Sequence, residues 1–529
     1  MEDTVQERTE GRLGRAARLI AATGLCCVMT AMAGVASAAA PHGASPPIET
    51  APARKPNFLI ILADDLGYAD VGFNGRREYR TPNLDRLAQQ GTNFKRFYAG
   101  GVICGPSRAS LLTGRYTIHH GVTGNGRTLA ASETTIASAL KPLGYHSALF
   151  GKWDSGETPL DHGFDAFAGY VNDLEAWEHF PKSMWFGREK RPVHGYSADI
   201  VGDLGSDYIK QHSKQPFFLE LAFIEPHLKL EAPGADVARL RRTIKEYDPK
   251  LPYNATYAAM ITRLDQAVGR VLDTLRASGL DKDTIVILTS DNGATFESGN
   301  LGAAADLDSN RPFRGGKRSV LEGGSRMPTA IRWPGRIPAG VVSNDVLIQV
   351  DILPTLMAAA GARPDPAWQV DGADELAVWE GKAKPAPRTI FWEYRKDGWY
   401  NVAAMSGDWK LVAENSSEFN ALKSTPPLST ETARQEEAAL GDAMMAGTAP
   451  ASLPADLKRD AQAATGTADV PKLFNVAVDP QERRNYYFAR TEMALKLRQD
   501  LLGWLNTESA ASKTPDKALL PPPVNGGPD

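Results

Sequence analysis

The chain has 529 residues, of which 42% are hydrophobic and 23% charged, with a formal net charge of −4. That length predicts two or three domains around a large core. The slight acidity argues against a nucleic-acid-binding protein, which would carry a basic face.

The first forty residues read as a signal peptide. Arg12, Arg15 and Arg18 form a basic start, residues 19–36 are apolar, and Ala36-Ser37-Ala38 supplies a small-residue cleavage site. A membrane anchor is the competing reading. The many Ala and Gly residues and the cleavage site favour export, periplasmic or secreted, with no stable membrane anchor once the signal is removed. Cys26 and Cys27 leave with that segment, so Cys104 is the one cysteine of the mature chain and no intramolecular disulfide can form. Residues 41–55, rich in Pro and Ala, read as a leader.

NFLIILA, residues 57–63, is a continuous apolar run, the pattern of a strand buried on both faces, and it ends in Asp64-Asp65-Leu66-Gly67. Thr81-Pro82 opens a helix that Gly91 closes. In CGPSRASLLTGR, residues 104–115, Pro106 suits the first turn of a helix, Ser107 to Thr113 continue it and Gly114 stops it. Cys104 then lies at a helix N-terminus, where free N–H groups favour an anion, with Arg108 one turn in.

YHSALFG, residues 145–151, is the next strand and leads into Lys152-Trp153-Asp154. PFFLELAF, residues 216–223, leads into Glu225-Pro226-His227. From Tyr257, apolar residues recur at three and four through Leu275, an amphipathic helix stopped by Gly279. TIVILTS, residues 284–290, ends in Asp291-Asn292-Gly293. Lys317 follows in a Gly-rich segment, residues 314–328. From about residue 385, TIFWEYR, WYNVAAMSG, WKLVAEN and KLFNVAVDP predict a small antiparallel sheet, covered by a helix over about 488–506.

Strands alternating with helices predict a parallel or mixed α/β sheet. In such sheets ligands bind outside the carboxyl ends of the strands. Asp64, Asp65, Lys152, His227, Asp291 and Asn292 therefore converge on one crevice beside the helix that carries Cys104. Each alone would read as a turn residue. Their shared position is the argument.

The pattern C-x-P-S-R followed by L-x-T-G, at Cys104 to Gly114, resembles the signature of the type I, formylglycine-dependent sulfatases of the alkaline phosphatase superfamily. The similarity runs from about residue 55 to 360, with a weaker match near 472–486. It implies an alkaline-phosphatase-like α/β fold, a mixed sheet flanked by helices, with a smaller C-terminal domain of antiparallel sheet plus helix. The implied organisation is a signal over 1–40, a leader over 41–55 and a catalytic domain over 56–385. A C-terminal α+β subdomain follows over 386–508, with an insertion at about 416–470, and then a disordered tail over 509–529.

The resemblance further implies that Cys104 is oxidised to 3-oxoalanine (formylglycine) by a formylglycine-generating enzyme. Asp64, Asp65, Asp291 and Asn292 match the family's calcium ligands, with Mg2+ as the alternative ion. Oxygen donors suit such a hard cation. Arg108, Lys152, His227 and Lys317 match its basic residues around the sulfate. One hydroxyl of the hydrated aldehyde would attack sulfur, and the alcohol would leave with a proton from His227 or Lys317. Deprotonation of the second hydroxyl would then release sulfate. Many members read G-K-W-H where this chain has Gly151-Lys152-Trp153-Asp154. Asp154 is therefore expected to stay ionised and to serve as the base in place of the usual histidine.

The expected substrate is a sulfated carbohydrate or an aryl sulfate. Trp177, Trp185, His194 and Tyr196, in a loop-like stretch over 170–200, are candidates to stack on a sugar or to pack in the core. A phosphonate monoester or phosphodiester hydrolase of the same superfamily is the first alternative. A non-catalytic sulfated-glycan binder is the second.

Overall fold

The computed structural model describes residues 55–296, 300–396, 399–414, 471–487 and 489–509. The expected signal, nearly all of the leader, the insertion at 416–470 and all but the first residue of the tail lie outside these. Among the described residues no helix is long and apolar enough to cross a membrane.

The apolar run at 57–63 forms β1, Asn57–Ala63, buried along its whole length. It lies between β7, Phe217–Ala222, and β8, Thr284–Ser290, and is parallel to both. Beyond β7 come β3, His146–Lys152, and β4, Ala166–Tyr170, also parallel. The carboxyl ends of five strands thus share one edge. On the other side of β8, the antiparallel strand β10, Ala330–Arg332, leads to β2, Thr92–Tyr98, and then β11, Val341–Ile348. The hairpin of β5, Ser183–Phe186, and β6, Glu189–Pro192, completes the far edge, and the two-residue β9, Arg326–Met327, pairs with β2.

Alternate residues of β1 feed two cores. Leu59 and Ile61 pack against α3, Ser197–Gln211, and α4, Tyr253–Ala277, with Leu264 and Val268 among the contacts. Phe58, Ile60 and Leu62 face the other layer, with Leu111 and Leu112 of α2, Cys104–Thr113, and Leu353 and Leu356 of α5, Ile352–Ala359. Both faces of the sheet are therefore covered, which explains the unbroken apolar strands. Each fully buried Leu or Ile contributes roughly 1.5–3 kcal/mol.

The C-terminal sheet has the order β12-β13-β14-β15: Thr389–Lys396, Trp399–Ser406, Trp409–Ala413 and Lys472–Asn475, all antiparallel. The helix α6, Thr491–Leu505, covers it with Leu497 and Leu501. Buried Trp392 donates through Nε1 to the Ala99 carbonyl at 2.8 Å, and Lys410 Nζ meets Glu322 at 2.9 Å. These contacts tie the small sheet to the segments around the site.

The stretch over 170–200 is not loop-like throughout, because it holds the β5–β6 hairpin. Tyr196 is 3% exposed, stacks on His179 and donates to the Glu231 carbonyl, so it is a core residue. Trp185 donates to Glu175 and lies under the Lys190 ammonium.

Candidate active site

Helix α2 starts where the sequence predicts. Ile103 is its extended N-cap, and Gly114 ends it in the left-handed region at φ 67°. The whole helix is buried. Cys104 is completely buried, and its Sγ lies 3.2 Å from Asp64 Oδ1. Ser107 Oγ touches the Asp291 carbonyl and Gln349 Oε1, while Gln349 Nε2 donates to the Ser290 carbonyl at 2.8 Å. The helix is thereby keyed to the end of β8.

Asp64 and Asp65 follow β1, and Asp291 and Asn292 follow β8. The Asp65 amide donates to Asp291 Oδ1 at 3.1 Å, and Asn292 Nδ2 donates to Asp65 Oδ1 at 2.6 Å. Arg108 closes this group, with Nη2 at 2.8 Å from Asp291 Oδ2 and 3.4 Å from Asp64 Oδ2. Its Nη1 donates to the Lys152 carbonyl at 3.1 Å.

Lys152 ends β3 with a fully buried side chain. Its Nζ lies 2.8 Å from Asp64 Oδ2, 2.6 Å from Asp173 Oδ1 and 3.8 Å from Asp154 Oδ2. The preceding Gly151 has φ +114°, and a Cβ there would stand 1.9 Å from the Ala222 carbonyl oxygen of β7. Only glycine fits, and the close approach aims Lys152 into the crevice.

His227 Nδ1 lies 2.9 Å from the Leu228 carbonyl, which fixes the proton on Nδ1 and leaves Nε2 as an acceptor. Lys317 Nζ donates to that Nε2 at 3.1 Å and pairs with Asp65 Oδ1 at 3.0 Å. Behind His227, buried His179 donates through Nε2 to its carbonyl at 3.0 Å.

The ten residues that the sequence singled out for catalysis or metal binding are thus brought together. Asp173 was missed. Its signal was position alone, three residues past a strand, β4, that the sequence reading did not assign. Gln349 and His179, which hold the machinery from behind, carried no local signal.

Burial and charge set the protonation states. Burial raises the Cys104 thiol well above its ordinary range, and Asp291 and Asp64 add to this. The cysteine therefore stays a thiol despite its helix N-terminus, and an unmodified sulfur here is a poor nucleophile. Burial would raise Asp64, but Lys152, His227, Arg108 and Lys317 outweigh it and hold that carboxylate well below the usual range. Burial pushes Asp65 up to about 7, with Lys317 opposing and Asp64 assisting. Asp291 is also raised, by burial and then by Asp64. His227 is lowered to about 3 by burial and by Lys317, so it is neutral at pH 7. Carboxylates around Lys317, Asp65 foremost, overcome its burial and keep it protonated.

Asp154 departs from the sequence expectation of a permanently ionised base. It is 3% exposed, adopts a left-handed φ of 56°, and its Oδ2 is buried without a hydrogen-bond partner. Burial pushes its pKa up to about 7 against the pull of Lys152. It is therefore poised to titrate near neutrality.

A divalent cation fits the acidic end of this cluster. Asn292 Oδ1 is buried with no hydrogen-bond partner, and two of the three neighbouring carboxylates are raised, first by burial and then by like charge beside them. One ligand atom each from Asp64, Asp65, Cys104 and His227 all lie within 4.8 Å of one another. Carboxylate and amide oxygens in excess suit a hard ion.

The Sulfatase family profile matches residues 56–362. N-acetylgalactosamine-6-sulfatase of Mus musculus is 33% identical over 374 residues, covering 64% of this chain and 69% of the mouse protein. Steryl-sulfatase of Mus musculus is 30% identical over 486 residues, covering 73% and 74% respectively. Among solved structures, Ps i-CgsB superposes with a TM-score of 0.69 at 25% identity, over 87% of this chain and 94% of that one. Fold, motif and relatives agree: this chain belongs to the sulfatase family and is an enzyme that hydrolyses sulfate esters.

Proposed function

We propose that this sulfatase cleaves sulfate monoesters of a carbohydrate, using residue 104 as formylglycine and a divalent cation, calcium or magnesium. The carbohydrate preference rests on similarity to the N-acetylgalactosamine-6-sulfatases. The observation that carries the chemical reading is the buried convergence of Cys104, four oxygen-donor residues and three fixed cations at the carboxyl ends of parallel strands.

A hydrated aldehyde at residue 104 would supply a hydroxyl to attack sulfur and a second hydroxyl whose loss of a proton expels sulfate. Asp64, Asp65, Asp291 and Asn292 would hold the cation, which would neutralise charge on the sulfate oxygens. Arg108 orients Asp64 and Asp291 and, with Lys152, adds fixed positive charge beside residue 104. Between the two donors the sequence suggested for the leaving alcohol, Lys317 carries a proton and the neutral His227 Nε2 accepts from it. Lys317 is therefore the acid, and His227 sets its direction. Asp154, with its unpartnered oxygen, takes the proton of the second hydroxyl. The near-complete burial of these side chains lowers the local dielectric, which strengthens each charge interaction. In the same reading, residues 1–40 direct export and a formylglycine-generating enzyme acts on Cys104.

Release of free sulfate from a panel of sulfated glycans and aryl sulfates, run beside matched phosphate mono- and diesters, tests the assignment. Sulfate esters should dominate kcat/KM. Faster phosphodiester or phosphonate cleavage would instead favour the related hydrolase activity.

A further inference from the structure

The basic groups that should meet a sulfate already face an anion of the protein itself. Asp173 Oδ1 stands 2.6 Å from Lys152 Nζ and 4.0 Å from His227 Nε2. One of its oxygens also lies within 4.8 Å of Cys104 Sγ and of an Asp154 oxygen. Lys152, His227 and residue 104 are the three groups that a sulfate ester must contact together if it is to react there. In the free enzyme their common neighbour is a carboxylate.

That carboxylate is held differently from the other acids of the site. Asp64 and Asp291 are fully buried and braced by Arg108. The Asp173 side chain is 26% exposed, so it stands at the mouth. It belongs to the turn between β4 and the short helical turn Glu175–Trp177, where its carboxylate pairs with Lys152 and lies 4.0 Å from the neutral His227. It can withdraw toward solvent without breaking a buried network, and Lys152 keeps Asp64 as a counter-ion when it does.

We infer that the Asp173 carboxylate occupies the sulfate position of the free enzyme and must be displaced by the substrate, acting as a built-in competitor that limits retention of anions. The inference rests on the sulfatase reading above, because it requires sulfate to bind at Lys152 and His227. The charge balance fits this exchange. A sulfate monoester carries one negative charge, as the carboxylate does, so substitution leaves the surroundings of Lys152 unchanged. The product, inorganic sulfate, carries two and faces the returning carboxylate as a like charge, which favours its departure.

The test is the affinity of the calcium-loaded enzyme for inorganic sulfate, read by calorimetry and as competitive inhibition of aryl sulfate turnover. Asp173→Ser removes the competitor, and Asp173→Asn keeps its shape while removing the charge, which guards against a folding defect in either one. Both variants should bind sulfate more tightly, with Kd and Ki falling about tenfold, ~1.4 kcal/mol. A merely structural role in holding Lys152 would weaken sulfate binding instead. Unchanged or weakened sulfate binding in both variants, with a wild type that still hydrolyses sulfate esters, overturns the role of Asp173 alone. A wild type inert toward every sulfate ester would count against the underlying reading.

Discussion

Cys104 Sγ and Asp64 Oδ1 are 3.2 Å apart, which couples the residue expected to react to the carboxylate whose pKa is held lowest among the crevice acids proposed as cation ligands. The thiol donates and the carboxylate accepts; burial keeps the sulfur protonated, and Asp291 and Asp64 reinforce this. An unmodified cysteine in this position is chemically quiet. In a host with the modifying machinery, the peptide containing residue 104 should therefore be lighter than its thiol form and should react with hydrazides. Cys104→Ala should reduce turnover to background. A fully active enzyme with an intact thiol would contradict the proposed nucleophile.

Chelation should abolish activity, and calcium or magnesium should restore it. If the ion binds the folded state alone, saturation at 100 times its Kd adds about 2.7 kcal/mol of stability. Wild-type Tm should consequently fall on chelation, whereas Asp65→Ala should show no such response and should lose turnover by at least about 10²-fold. A chelator-insensitive Tm together with full metal-free activity would contradict the assignment.

The raised pKa of Asp154 gives a signed pH effect. A base with a pKa of about 7 is competent when ionised, so its contribution is present above that pH and is lost as pH falls through it. Asp154→Asn should remove this limb from the kcat profile and slow the second half-reaction more than the first. Stopped-flow assays should then show the alcohol released in a burst ahead of free sulfate. Near-normal turnover without a burst would leave Asp154 as a loop residue and make His227 the next candidate.

Asp70 offers a test of the scaffold. Its buried carboxylate accepts from the Tyr79 and Tyr257 hydroxyls at 2.9 and 2.7 Å, from Arg76 at 2.9 Å and from the Gly67 amide at 2.9 Å. It thus pins the turn that presents Asp64 and Asp65. Asp70→Ala leaves Arg76 with Glu78 at 3.3 Å but takes the shared acceptor from the buried Tyr79 and Tyr257 hydroxyls, and should cost about 1–3 kcal/mol, measured by denaturant unfolding. A change below 1 kcal/mol would show that the network is dispensable.

Much of this was legible in order along the chain. The runs at 57–63 and 284–290 are β1 and β8 without a shift at either end, because strands covered on both faces show a nearly continuous apolar stretch. Helix α2 was bounded by Pro106 and Gly114 for reasons internal to the segment. The carboxyl-end rule then grouped Asp64, Asp65, Lys152, His227, Asp291 and Asn292 without any structure, and the resemblance added Lys317. The edge strands were not legible: β5 and β6 are four residues each, SMWF is too short to show a period, and EKRP is exposed throughout with no apolar residue but its proline. Asp173 was lost because the strand before it, β4, went unassigned. The protonation of Asp154 was misjudged because the sequence displayed the nearby cations but not the burial, which here outweighs them.

The full enclosure of residue 104 also fixes an order of events in time. No macromolecule can reach that side chain once α2 has docked onto the ends of β1 and β8. The proposed oxidation would therefore have to precede the docking of α2 onto those strand ends. Activity would then be decided during biosynthesis, and a molecule that folds ahead of its modification stays inert for its lifetime, indistinguishable in fold from its working siblings.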